Sequence, residues 1–204
     1  MRTPLNFTIH GLWPDNNGQR LLNCNSKGHR FKAFKDGRFV AKLDYRWPDL
    51  FEASPGTKQT FWRDEWAKHG TCSNLNQQQY FTKAIELKDR FNLLHILEAS
   101  GINYGLKVDP RKVNASVSAA TGHLPILKCV QKLLSEIIIC FDSNGANVID
   151  CPPPFSTPCG NKMDTDDPIY LMVGDFVEIQ HLKGSVADIE DEAPIVAIAI
   201  LDSG

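Results

Sequence analysis

Phe61-Trp62-Arg63-Asp64-Glu65-Trp66-Ala67-Lys68-His69-Gly70-Thr71-Cys72 is the stretch on which the reading of this chain turns. Trp62 and Trp66, four residues apart, share one face of a predicted helix, most simply a core face. Glu65 and His69 are also four apart, and Lys68 lies three beyond Glu65. A carboxylate, an ammonium and an imidazole therefore gather on a neighbouring face, with Gly70 ending the helix beside them. Taken alone, Glu-x-x-Lys-His reads as a surface ion network. Here the aromatic face and Cys72 fix the trio to a rigid element, which a working site needs.

Upstream, Phe7-Thr8-Ile9-His10 alternates like a strand and Pro14-Asp15-Asn16-Asn17-Gly18 is dense in turn formers, which places His10 at a strand end. Downstream, Tyr80, Phe81, Ala84, Ile85, Leu87, Phe91, Leu94 and Leu97 recur at helical spacing, predicting one helix from Gln77 to Ser100 with Gly101 as its stop. Further helices are expected over residues 113–120 and 125–133. The β-branched run from Ser135 to Phe141, followed by Asp142-Ser143-Asn144-Gly145 and then Asn147 to Cys151, predicts a hairpin.

The chain has 204 residues, 42% hydrophobic and 9% aromatic, which suits one domain with a substantial core. No run approaches the roughly 18 apolar residues of a membrane span, and the first residues lack a charged-then-apolar export pattern, so no membrane association is expected and any signal peptide lies outside this chain. Of 22 Lys/Arg, 20 precede residue 160, against 14 of the 24 Asp/Glu, leaving a basic body and an acidic tail. A basic body suits transient contact with a polyanion. The six cysteines contain no Cys-x-x-Cys pair, so three disulfides in an oxidising compartment, and hence a secreted protein, are expected in preference to zinc. The hairpin would bring Cys140 near Cys151, Cys129 and Cys159 suit an outer staple, and Cys24 and Cys72 remain for each other; about 15 pairings are open on sequence alone. Asn6-Phe7-Thr8 and Asn114-Ala115-Ser116 are glycosylation acceptors.

Two imidazoles with an ammonium between them suit cleavage of RNA by its own 2′-hydroxyl. One takes the hydroxyl proton and the other protonates the departing 5′-oxygen, while Lys68 neutralises phosphate oxygen and Glu65 orients an imidazole or assists the phosphoryl group. Neither metal nor cofactor is expected, because the attacking hydroxyl is already held beside phosphorus. His10 is the second imidazole, with Trp13 close by to stack on a base and Asp15 able to bond a purine edge. His29, His95, His123 and His181 lack a comparable neighbourhood.

Phe7 through Pro14, together with Phe61-Trp62 and Glu65 through Cys72, resembles the two active-site segments of the ribonuclease T2 family. The similarity is strongest to the plant branch of S-RNases and S-like RNases, and it extends through Gly122-His123-Leu124-Pro125 to Cys151-Pro152. The resemblance implies an α+β fold with a central antiparallel sheet flanked by several helices. It implies His10 as proton donor, His69 as proton acceptor, and Glu65 and Lys68 as transition-state stabilisers. Trp13 is implied in base stacking, with Phe61 at a second base site and Trp62 as a further substrate-binding residue, and the disulfides would be Cys24–Cys72, Cys129–Cys159 and Cys140–Cys151. Single-stranded RNA is the expected partner of a monomer with low base specificity, and an F-box-type protein a further one if the chain serves self-incompatibility.

Three departures stand out. Asp64 replaces a histidine that many members carry before the motif glutamate. The family's first core strand, upstream of the first motif, is missing. Residues 173–204 continue as an acidic extension beyond a ribonuclease domain set at 1–172. The competing expectations are a catalytically impaired ribonuclease-like storage or recognition protein, and a disulfide-stapled binding module; survival of His10, Glu65, Lys68 and His69 favours the enzyme.

Overall fold

The computed structural model describes residues 7–16, 19–24, 29–50, 59–103, 105–130, 132–151, 159, 169–170 and 195–202. In chain order the elements are β1 (Phe7–Asn16), β2 (Gln19–Arg20), α1 (Gly37–Arg46), α2 (Thr60–Lys68), α3 (Gln77–Asp89), α4 (Leu93–Ala99), β3 (Lys107–Val108), α5 (Pro110–Thr121), β4 (Ile126–Val130), β5 (Leu133–Phe141), β6 (Val148–Ile149), β7 (Ile169–Tyr170) and β8 (Ile195–Asp202). The sheet runs β2-β1-β8-β5-β7-β3, with β4 and β6 also pairing β5, and every pairing is antiparallel except β5 with β7. The fold is the expected α+β arrangement.

Alternation along β5 sorts the two faces of the sheet. Ile137, Ile139 and Phe141 enter the main core with Trp47, Trp62, Trp66, Tyr80 and Phe81 from the helices, whereas Ile138 and Cys140 join Trp13 and Ile126 in a smaller cluster. In β1, Ile9 and Leu12 both belong to the main core although they are three residues apart. A bulge makes this work: the register against β8 shifts between Ile9, opposite Ile200, and Gly11, opposite Ala199. One extra residue reverses the alternation and re-aims what sits on it. The extra residue is His10. It therefore stands mid-strand on a bulge and not at a strand end, because β1 continues through Pro14 to Asn16 before meeting β2.

Two helix expectations are corrected. The helix predicted over 125–133 is strand β4, since Ile126, Leu127 and Val130 fit either periodicity and the ladder to β5 decides between them. The helix predicted from Gln77 to Ser100 is two, because Asn92 accepts a hydrogen bond from the His95 amide (3.2 Å) and starts α4 as its N-cap. The helix expected over 113–120 is α5, opened by Asp109 and Pro110 and closed by left-handed Gly122 (φ 82°). The hairpin forms as β5 and β6.

All three disulfides join the expected partners, Cys24–Cys72, Cys129–Cys159 and Cys140–Cys151. The first ties the end of the α2 segment to the chain after β2, and the last two hold the β4–β6 region. Residues 195–202, set apart with the acidic extension in the sequence reading, form β8 and pair along their length with β1 on one side and β5 on the other. Residues 173–194 of that extension, including the acidic run 188–192 and His181, lie outside the described residues, as does the acceptor Asn6. The other acceptor, Asn114, lies within α5 and is half-buried.

Candidate active site

The bulge in β1 and the end of α2 bring the two histidines to one indole. His10 meets the Trp13 ring edge-on at 5.0 Å between centroids, and His69 meets the same ring, tilted, at 5.8 Å. At most about 11 Å therefore separates the two imidazoles. The His10 backbone is pinned from the core side, where its carbonyl accepts from Trp47 Nε1 at 2.9 Å. Its side chain is 30% exposed.

On α2 the spacing does what the sequence implies. Trp62 and Trp66 point into the core, and the Trp66 indole donates to the His29 carbonyl at 2.7 Å. The next face carries Glu65, Lys68 and His69. A Cβ at Gly70 would collide with the Trp66 ring, so only glycine lets the chain turn tightly after His69. Gly11 plays the same part opposite: a Cβ there would strike the Trp13 indole and lie 2.9 Å from Glu65 Oε2. The missing side chain lets Glu65 and Trp13 meet over β1.

Burial sets the electrostatics. His69 is 2% exposed, and burial, then Lys68, Arg20 and His10, lower its pKa from 6.5 to about 3. Glu65 moves the other way, from 4.5 to about 7, chiefly because its carboxylate is buried, although His10 and Lys68 oppose the shift. His10 Nδ1, Trp13 Nε1, Glu65 Oε2 and His69 Nδ1 make no aligned hydrogen bond among the described residues.

Three further charges enter the site that the sequence reading did not select. Glu136 on β5 is 3% exposed and places Oε1 at 3.2 Å from His10 Nδ1, while its Oε2 accepts from Lys128 Nζ at 2.7 Å. Lys128 also lies 5.3 Å from the Trp13 ring centroid, and the Arg20 guanidinium carbon lies over that ring at 4.1 Å. The available signal was a carboxylate inside the apolar run Leu133 to Phe141, directly opposite Lys128 once the β4–β5 register is set.

The base-binding candidates divide. Trp13 is at the site but only 3% exposed, with Arg20 against its face. Asp15 is buried and paired in register with Arg20. Phe61 is half-buried, edge-on to Trp47 at 6.4 Å. Trp62 is removed from the site: it is 2% exposed and donates its indole hydrogen to the Trp47 carbonyl at 2.8 Å, which makes it a core residue. Asp64 is exposed and engages Arg63 at 2.9 Å, which turns its charge toward a local partner.

Comparison with known proteins agrees with this picture. The Ribonuclease T2 family model matches residues 2–151. Ribonuclease S-2 of Nicotiana alata is 44% identical over 166 residues, covering 79% of this chain and 77% of the relative. Extracellular ribonuclease LE of Solanum lycopersicum is 33% identical over 168 residues, covering 78% and 72%. The crystal structure of RNase NT in complex with 5′-AMP superposes with a TM-score of 0.71 at 27% identity, covering 82% of this chain and 83% of that one. Two separate segments that fold onto one indole, within a match spanning most of the chain, make this protein an RNA-cleaving member of the ribonuclease T2 family, on its plant S-RNase branch.

Proposed function

We propose that the chain cuts single-stranded RNA by transphosphorylation, with His69 as base, His10 as acid, and Glu65 and Lys68 stabilising the transition state. His69 takes the 2′-hydroxyl proton, the 2′-oxygen forms a bond to phosphorus, the bond from phosphorus to the 5′-oxygen breaks, and His10 gives that oxygen a proton. The products are a 2′,3′-cyclic phosphate and a free 5′-hydroxyl, with every proton accounted for.

The observation that carries this reading is the meeting of both imidazoles on Trp13 beside Glu65 and Lys68. With its pKa near 3, His69 is neutral at mildly acid pH, the form a base requires. Glu65, near 7, is then largely protonated and can donate to a phosphoryl oxygen without repelling it. Burial thus leaves the His69 imidazole neutral and the Glu65 carboxyl largely protonated.

The same reading makes the protein a secreted monomer of low base specificity. Three disulfides and the likeness to an extracellular ribonuclease support secretion, and no helix among the described residues is long and apolar enough to cross a membrane. Were the S-RNase likeness to extend to self-incompatibility, an F-box-type protein would be a further partner. Incubation of the oxidised protein with a homopolymer RNA in EDTA, followed by phosphorus NMR, should show 2′,3′-cyclic phosphate ends forming before any 3′-monophosphate. Direct appearance of 5′-phosphate ends would overturn the mechanism.

A further inference from the structure

We propose that Glu136 is a positioning residue for the proton donor: anchored by Lys128 through one carboxylate oxygen, it presents the other to His10 Nδ1 and so holds the imidazole with Nε2 free for the leaving oxygen. This rests on the assignment of His10 as the acid.

The carboxylate sits where a sheet would not otherwise keep one. Its neighbours Ile137, Ile138, Ile139, Cys140 and Phe141 are all buried, and Glu136 is itself 3% exposed. An isolated charge at that depth is strongly unfavourable, so its retention calls for partners. Two are present: Lys128 Nζ donates a hydrogen bond at 2.7 Å, and His10 Nδ1 lies 3.2 Å away in an ion-pair contact that falls short of hydrogen-bond alignment. Together they hold the Glu136 pKa at about 2 despite burial, which pushes the other way. The carboxylate is therefore ionised throughout the working range.

The geometry fits orientation of an acid. Glu136 and Lys128 are directly opposite in the β4–β5 ladder, a fixed pair, whereas His10 stands on the bulge of β1 two strands away across β8. A contact bridging that distance ties a locally irregular residue to the most regular part of the sheet. An anionic acceptor at Nδ1 favours the tautomer with the proton on Nδ1, and it compensates the imidazolium when Nε2 is also protonated. The other charges bearing on the site, Glu65, Lys68 and His69 from α2 and Arg20 from β2, approach from other elements.

Substrates that differ only in leaving group test the assignment. A dinucleotide expels a poor alkoxide that needs a proton, whereas a nucleoside 3′-(4-nitrophenyl phosphate) expels a phenolate that does not. For Glu136→Gln, kcat on the dinucleotide should fall roughly 10- to 100-fold, with KM within about twofold, while cleavage of the nitrophenyl ester changes less than about threefold. An equal loss on both substrates would mean a structural role, and no loss on either would mean none; both overturn the proposal. If Glu136→Gln does not fold, Lys128→Met takes its place: the same dependence on leaving group, smaller in size, is expected, and its absence is equally contrary. Failure of the unmodified protein to cleave either substrate would instead sink the underlying nuclease mechanism.

Discussion

Glu65 and His69, one turn apart at the end of α2, have exchanged their usual acid–base order: the carboxyl is raised to about 7 and the imidazole lowered to about 3. Burial drives both shifts, because it penalises the anion of one and the cation of the other. The exchange affects stability as well as chemistry. Between pH about 3 and 6.5 the unfolded chain holds a proton on His69 that the folded chain does not, so this contribution grows as pH rises through the interval. Between about 4.5 and 7 the folded chain holds the extra proton on Glu65, so that contribution fades as pH rises. The two nearly cancel from about 4.5 to 6.5. Replacing His69 by Gln should remove the gain and leave a variant whose stability falls relative to wild type as pH rises from 4.5 to 6.5. Urea denaturation across that range measures it, and a constant difference at every pH would contradict the shifts.

Gly11 is the narrowest point of the site. A methyl group there meets the Trp13 indole and lies 2.9 Å from Glu65 Oε2, so one of them must shift. Gly11→Ala should cost about 1–3 kcal/mol of stability and lower kcat more than tenfold, because it pushes apart groups that must act together. Thermal melting with steady-state kinetics tests this, and a variant with wild-type kcat would show that the close approach is incidental.

Much of this was legible in the sequence, and the exceptions share a cause. The α2 trio, α5 with its Asp109-Pro110 start and Gly122 stop, and the β5–β6 hairpin all rest on local spacing, which survives into the structure, whereas the full disulfide pairing came from the family resemblance. Strand β4 was not legible, because Ile126, Leu127 and Val130 suit a helix as well as a strand until β5 is alongside. Glu136, Lys128 and Arg20 were missed for the same reason: each reaches the site through strand register, not through the motifs. The bulge at His10 and the seating of β8 depend on pairing between residues nearly 190 apart in the chain, where periodicity carries no information.

Arg20 covers one face of the Trp13 indole. Its guanidinium lies at 4.1 Å over Trp13, and Trp47, Trp62 and Trp66 are all buried in the main core. Arg20→Ala should therefore raise acrylamide quenching of tryptophan fluorescence by exposing Trp13 alone, and a saturating nucleoside monophosphate should reverse the rise. Unchanged quenching would show that Trp13 is shielded by other groups.

Strand β8 is bonded on both sides, to β1, which carries His10, and to β5, which carries Glu136. Proline at Ala199 removes a ladder donor in the middle of that strand. Ala199→Pro should lower Tm by at least about 3 °C and reduce kcat on dinucleotides, since it loosens the spacing between the strands that hold His10 and Glu136. A variant with unchanged Tm and kcat would place β8 outside the functional sheet.

His10 and His69 are proposed to act on one phosphodiester as acid and base. Single-turnover cleavage of a dinucleotide by the wild type, His10→Ala and His69→Ala at mildly acid pH tests it most directly. A loss of at least about 100-fold is expected in each variant, with a double variant little worse than either, as for groups that work as a unit. Cleavage within tenfold of wild type in either single variant would contradict it.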